Sequence, residues 1–419
     1  RYSRGEVLTL LRTGVASSVS VLSMHHLDLL PEEERKLLVF ADNRQEAAHQ
    51  AGYMDDRHRQ FAVRHAIEAL VSDAGPGGIA LETAATVLLE SFQRLGFAKM
   101  RLTKDPMQLW TAALRYEAAS EFCRSTLQRV SLENLALVAV EYEFLDEVLR
   151  DARFAAVCDQ WGVPAATSAV VVRAMLNFMR RRRAVAFDFY QQYVDDTKAP
   201  WRYLTPDPFS VSFPEHERVP TAFMFDRPSA ARSGSGFKFD ALVKDTTRGA
   251  PGGIAKLVRR ATGLSDHADD WTREVIALLT DYSILEQVVL PPRVRQRVGN
   301  ARALQIAPRV IRLVPAADGW RCELCATWRP YRSHVCLANN VCAGDDSNQR
   351  ASRADRENYY VRLYTDQPPR RLKAREHTAQ IAENDRVKLE TAFKEARSTC
   401  SSAVRRSSSE SISGSCRAS

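Results

Sequence analysis

Four of the eight cysteines cluster between Cys322 and Cys342, in the segment WRCELCATWRPYRSHVCLANNVCAG. Cys322 and Cys325 form a CxxC pair, and Cys336 and Cys342 follow after a ten-residue gap. A CxxC puts two thiolates on one tight turn, where they can occupy two corners of a tetrahedron, and a second pair supplies the other two. The second pair is more widely spaced than in a standard zinc ribbon, so His334 is an alternative fourth ligand. Either set predicts a structural zinc ion. Four protein ligands leave no coordination position for a substrate, so such an ion holds the fold and does no catalysis. Free surface thiols are the competing reading. Cys123 and Cys158 fall in helical patterns and read as small core residues. Cys400 and Cys416 belong to a Ser-rich tail.

The elements around this cluster divide the chain. Leu37, Leu38, Val39 and Phe40 form a short apolar run, which predicts a strand buried on both faces, as in a parallel sheet. Asp42 and Asn43 are helix N-cap types, and Ala47, Ala48, Ala51, Met54, Phe61, Ile67 and Leu70 follow at mostly helical spacing. Residues 1–75 therefore open with a βα unit. Residues 76–203 read as a helical region, with Leu, Ala and Val recurring at three and four residues; Arg180 to Arg183 close one helix, where cations suit the dipole. Residues 204–251 are rich in Pro, Ser, Gly and Asp and read as a linker. In 252–315, two helical stretches (IAKLVRRATGL and WTREVIALLTDY) precede two β-rich ones. That order predicts a winged helix, made basic by Arg259, Arg260, Arg293, Arg295 and Arg297; a small α+β domain with a solvated Arg face is the plainer alternative. The zinc knuckle occupies 316–350. In 351–397, Tyr359 to Tyr364 alternate like a strand, REHTAQ follows, and a helix carries Arg386, Leu389, Glu390, Phe393 and Lys394.

Composition narrows the classes. Hydrophobic residues are 45% and charged residues 26%, which excludes a wholly disordered chain. No apolar run reaches the ~18 residues of a membrane-spanning helix, so no membrane role is expected. No signal pattern follows Arg1, and the expected compartment is the reducing cytoplasm, where paired thiols hold metal more often than they form disulfides. The net charge of +8 permits a polyanionic partner.

LLVFADNRQEAAHQAGYM resembles the strand and helix that open the second RecA-like lobe of a superfamily 2 DEAD/DEAH-box helicase. REHTAQ, with its downstream Arg and the Phe393-Lys394 pair, is similar to the next block of that lobe. The order of the blocks, and the long cysteine-bearing insertion between them, resemble large bacterial helicases of the DISARM type. The two blocks cover about a quarter of the chain. The resemblance implies an α/β fold: a partial RecA-like parallel sheet interrupted by a large, mainly helical insertion with the winged helix and zinc knuckle. It implies DNA or RNA as partner, a first RecA-like lobe elsewhere, and ATP and Mg in the complete protein. By the same resemblance Asn43, Arg44, Gln45, Arg375, His377, Thr378 and Gln380 contact the nucleic-acid backbone, with a surface salt bridge as the plain alternative for Arg44.

The motor motifs themselves do not occur in these 419 residues. There is no phosphate-cradling GxxxxGKS/T loop and no acidic Mg-binding box; GGIAKL at Gly252 lacks both the spacing and the hydroxyl. The QxxGRxxR-like motif that supplies an arginine finger is missing too. The chain alone is therefore expected to turn over no ATP, and no catalytic residue is assigned. Ten of the 22 residues from Ser398 to Ser419 are Ser, where the family has an apolar strand. In GC-rich DNA, codons of Val, Leu and Ile often end in TC, and one base late they read as Ser. The tail is thus expected to be a frameshift product, with a genuinely disordered Ser-rich tail as the alternative. Outside the resemblance, the residues allow a non-catalytic winged-helix and zinc DNA-binding regulator. A helical-repeat scaffold finds no fixed period.

Overall fold

In chain order the elements are α1 (Val15–Leu29), β1 (Leu37–Ala41), α2 (Arg44–Ala74), β2 (Ile79–Ala80), α3 (Leu81–Arg94), α4 (Pro106–Phe122), β3 (Val138–Tyr142), α5 (Leu145–Arg150), α6 (Ala152–Trp161) and α7 (Ala165–Arg181). There follow β4 (Thr221–Arg227), β5 (Lys238–Asp245), β6 (Ala250–Pro251), α8 (Gly253–Thr262), α9 (Ala268–Asp281), β7 (Leu285–Gln287), α10 (Pro292–Val298), β8 (Ala303–Ile306) and β9 (Ile311–Pro315). The last are β10 (Gly319–Cys322), β11 (Trp328–Arg329), β12 (Gln349–Ser352), α11 (Tyr359–Thr365), β13 (Ala374–His377), α12 (Glu383–Lys394) and β14 (Cys400–Val404). The computed structural model describes residues 15–31, 34–41, 44–94, 106–123, 130–188, 220–227, 238–245, 249–265, 267–290, 292–299, 302–366, 374–377, 383–394 and 400–404. The chain is mixed α/β. It divides into one unit of Arg1–Phe61, Pro206–Phe209 and Pro369–Ser419 and a second of Ala62–Thr205 and Ser210–Pro368.

The first unit is built on a three-stranded parallel sheet in the order β1–β14–β13. Phe40 and His377 both face Ala403 of β14, so β1 and β13, far apart in sequence, run in register through one shared neighbour. Parallel strands need long crossovers, because each must return to the same end of the sheet before pairing. Leu27, Ala51 and Met54 are buried here, with Val19, Leu30, Leu37 and Val39 packed against them. Lys36 Nζ donates to the Lys394 carbonyl at 2.7 Å, at the C-terminal end of α12 where a cation meets unpaired carbonyls.

The second unit holds three further sheets. The largest is mixed, β6–β5–β4–β8–β7, with β4 and β5 parallel and the other pairs antiparallel. Phe223, Leu242, Ile254, Leu257, Val258, Trp271 and Ile276 are buried in it and the helices α8 and α9. Gly253 begins α8 against Phe178 of α7, where a Cβ would stand 2.6 Å from the ring carbon Cζ. β2, β9 and β3 form an antiparallel sheet, and β11, β10 and β12 another.

Several expectations are corrected. The stretch 204–251 is more than a linker: β4 and β5 are buried strands of the largest sheet, with Phe223 and Leu242 at zero exposure. The two β-rich segments expected to make a wing pair only in part. β7 and β8 are antiparallel neighbours, but β8 also pairs with β4, and the second half of the second segment, β9, leaves to pair with β2 and β3 in another sheet. The region 76–203 contains β3, whose VAVEY run pairs with β9, a partner far along the chain that no local periodicity reveals. Tyr359 to Tyr364 form the helix α11, not a strand. Asn358 accepts from the Tyr360 amide at 2.9 Å as its N-cap, and Val361 and Tyr364 are the two buried positions, three residues apart. In the tail, Cys400–Val404 form the central strand of the parallel sheet. No single described helix is long and apolar enough to cross a membrane, and the pair α6 and α7 that passes jointly is bent by 106°.

Candidate metal centre

Cys322 ends β10, and Cys325 lies on the turn that leads back into β11. The Cys322 amide donates to the Thr327 carbonyl at 3.1 Å and closes that turn; Ala326 takes a positive φ of 55° to make it. The second pair is held by a different device. Asn339 Oδ1 accepts from the Val341 amide at 2.9 Å and from the Cys342 amide at 2.7 Å, a side chain imitating a backbone turn. The Cys336 amide donates to the Gly344 carbonyl at 2.7 Å, which fastens one loop end to the other. Gly344 has no room for a side chain: a Cβ would meet Cys322 Sγ at 2.9 Å.

All four sulfurs lie within 4.8 Å of one another. Cys322 Sγ is 3.8 Å from Cys342 Sγ, and Cys325 Sγ is 3.6 Å from Cys336 Sγ. A tetrahedron with metal–sulfur legs of ~2.3 Å has edges of about 3.8 Å, so the spacing fits a four-thiolate centre. Cys322, Cys336 and Cys342 are buried and Cys325 is half-buried. Hydrogen bonds from Cys336 and Cys342 hold the Cys325 thiol well below its usual range. The Cys336 thiol, which must give up its hydrogen bond to Cys325 on ionising, is pushed up to about 11, and Cys342 is raised for the same reason. The four cysteines are thus placed to hold a metal ion such as zinc. His334 is exposed and lies outside this group, so the alternative ligand is not used.

Arg260, on α8, reaches the same loop. Its guanidinium donates to the Cys342 carbonyl at 2.7 Å, to the Asn339 carbonyl at 2.8 Å and to the Cys336 carbonyl. Buried Arg329 braces the sheet side, with Nη2 to Gln349 Oε1 at 2.9 Å and Nη1 to Ser333 Oγ at 3.1 Å. Arg260 had been read only as part of a basic face, and no spacing rule connects it to cysteines 76 or more residues away.

The backbone-contact residues stand differently. Asn43, Thr378 and Gln380 lie outside the described residues. Arg44 and Gln45 start α2, and Arg375 and His377 are in β13. β1 and β13, on opposite edges of the parallel sheet, both finish at its same carboxyl end, since Phe40 and His377 share the partner Ala403. The four arginines closing α7 are engaged within the fold. Arg180 reaches Glu133 at 2.7 Å, Asn177 at 2.9 Å, Tyr142 Oη at 3.2 Å and the Phe122 carbonyl. Arg181 joins Glu133 at 3.0 Å, and Arg182 pairs with Asp240.

Comparison with protein-family models, with curated proteins and with solved structures returned no match to this chain.

Proposed function

We propose that this chain is the second RecA-like lobe of a superfamily 2 DEAD/DEAH-box helicase or translocase, interrupted by a long insertion. The observation that carries the reading is the parallel sheet β1–β14–β13: the strands before DNRQ and within REHTAQ share one layer despite the insertion between them. In open parallel sheets, ligands bind beyond the carboxyl ends of the strands. Asn43, Arg44, Gln45, Thr378 and Gln380 follow these strands in the chain, His377 ends β13 and Arg375 lies within it, and in this reading they hold phosphates of a DNA or RNA strand without reading bases. ATP and Mg would engage the complete protein with its first lobe; this chain by itself binds without turnover. Two measurements test the proposal. In a salt titration against single-stranded DNA, R44Q/R375Q should weaken binding and flatten the salt dependence. The encoding DNA, read in the neighbouring frame across the Ser-rich tail, should yield an LELGID-like strand motif. Unchanged binding together with no such motif removes the helicase reading.

For the cysteine centre we propose structural zinc. Four thiolates fill a tetrahedron, which leaves the ion no open position. Elemental analysis should find one zinc per chain, and C342S should lose it. A chain purified in the presence of zinc and still free of metal would refute this assignment.

A further inference from the structure

Residues of β10 and β12 line a cleft of about 1050 Å³. Two arginines stand opposite each other in its sheet: Arg321 of β10 is the register partner of Arg350 of β12. Like charges directly across a strand pair repel, so such a pair carries a cost. Arg321 is half-buried, and all its hydrogen bonds go to neutral groups: the Asn134 carbonyl at 2.6 Å, the Ala326 carbonyl at 2.9 Å and Ser352 Oγ at 3.3 Å. Burial and the Arg350 charge across the strand pair both press its pKa downward. Arg350 is 70% exposed and has only a loose ion pair with Glu323 at 3.4 Å. Arg353 and Arg356 continue the same wall, exposed, and among the described residues neither makes an ion pair. The cleft also carries Asp318, Asp355 and Glu357; Asp355 accepts from the Glu357 amide at 3.1 Å.

We propose that this cleft binds the phosphodiester backbone of a single-stranded nucleic acid, with Arg350, Arg353 and Arg356 contacting phosphates and Arg321 supplying fixed positive charge at the floor. Guanidinium groups match phosphate oxygens in bidentate geometry. The mixed lining favours a nucleic acid over an acidic peptide. Carboxylates beside the arginines can accept from base amino groups, as Asp and Glu do from cytosine N4, whereas the side chains of an acidic peptide offer them no donor. The open form lets a strand run through. The site lies wholly within the second unit and does not depend on the helicase reading.

The test uses the full chain and a labelled oligo-dC strand, followed by fluorescence anisotropy over a salt series. R350Q/R353Q/R356Q should weaken binding by about tenfold or more and reduce the slope of log K against log salt by about 2, the loss of three single-strand phosphate contacts. The control R153Q/R309Q/R332Q removes the same charge from exposed arginines that are ion-paired elsewhere and should bind as the unchanged chain does. Circular dichroism and zinc content should be the same in all three proteins. Equal loss in both triple variants would reduce the effect to net charge and overturn the site. So would unchanged affinity in the cleft variant, equal affinity for duplex DNA, or displacement by a polyglutamate peptide as effective as by oligo-dC. R44Q/R375Q is measured alongside. Loss in the cleft variant alone sustains this site while counting against the helicase edge, and loss in R44Q/R375Q alone does the reverse.

Discussion

Arg260 has no ion-pair partner among the described residues and directs its guanidinium at three backbone carbonyls of the loop that carries Cys336 and Cys342. A four-thiolate site with a divalent ion keeps a net negative charge, so a cation fastened to its outer loop both shapes the loop and offsets that charge. With R260Q, the zinc dissociation constant should rise about 10–100-fold in competition with a chromophoric chelator; an unchanged constant would mean that the loop is held by Asn339 and Gly344 alone. His58 makes the other single-residue case. It is buried in α2, and burial lowers its pKa from 6.5 to about 4. The unfolded chain takes up this proton first, so the contribution is complete above about pH 6.5 and is lost as pH falls toward 4. That amounts to about 3 kcal/mol of stability in the first unit. Hydrogen exchange of the β1 amides across this pH range should register it, and H58Q should remove that part of the pH dependence.

Among elements, what was legible in the residues is what local rules govern. The βα opening, the helices α8 and α9, and the convergence of Cys322, Cys325, Cys336 and Cys342 follow from periodicity, capping and ligand spacing. β3, β4 and β5 were not legible, because their partners lie far along the chain or in stretches whose Pro, Gly and Ser content masks a strand. Tyr359 to Tyr364 satisfies a strand pattern and a helix pattern at once, and a buried contact decides: Arg64 donates to Tyr364 Oη at 3.1 Å while pairing with Glu121 at 2.9 Å. The run Arg180 to Arg183 was read as dipole compensation, yet Arg180 is fully buried and joins α7 to β3, to the end of α4 and to Glu133. Burial would raise the Glu133 pKa, but Arg180 and Arg181 outweigh it and hold the carboxyl below its ordinary value of 4.5. Its contribution is therefore present above about pH 4.5 and is lost as pH falls through the depressed native value. E133Q leaves Arg180 charged and buried without its counter-ion, at a cost of about 3–5 kcal/mol near neutral pH. Urea denaturation should show that loss at neutral pH and a smaller gap between variant and parent in strong acid. An equal gap at both would mean that the carboxylate charge is not what stabilises this junction.

Across the whole chain, the two units are stabilised by different means. The second has several sheets, a large buried core and the cysteine centre, whereas the first has one parallel sheet whose central strand is Cys-Ser-Ser-Ala-Val. A parallel strand paired on both sides is ordinarily an apolar run such as the LLVFA of β1. The Ser-rich composition of β14 is what made the tail read as displaced in frame, and the backbone pairing shows that the position is nevertheless that of a strand. Ser402 pairs with Val39 on one side and Glu376 on the other. Proline there removes an amide from the ladder and restricts the residue before it. S402P should therefore destabilise the first unit by about 1–3 kcal/mol, the cost of leaving a ladder partner in the centre of the sheet unpaired. Hydrogen exchange separates the units: protection should fall in residues 37–41 and 374–377 while 138–142 and 311–315 keep theirs. Because β1 and β13 meet only through β14 in this sheet, loss of that strand should release both edges together. Protection that survives at β1 and β13 in S402P would mean that these strands do not depend on β14, and the parallel layer on which the helicase reading rests would have to be abandoned.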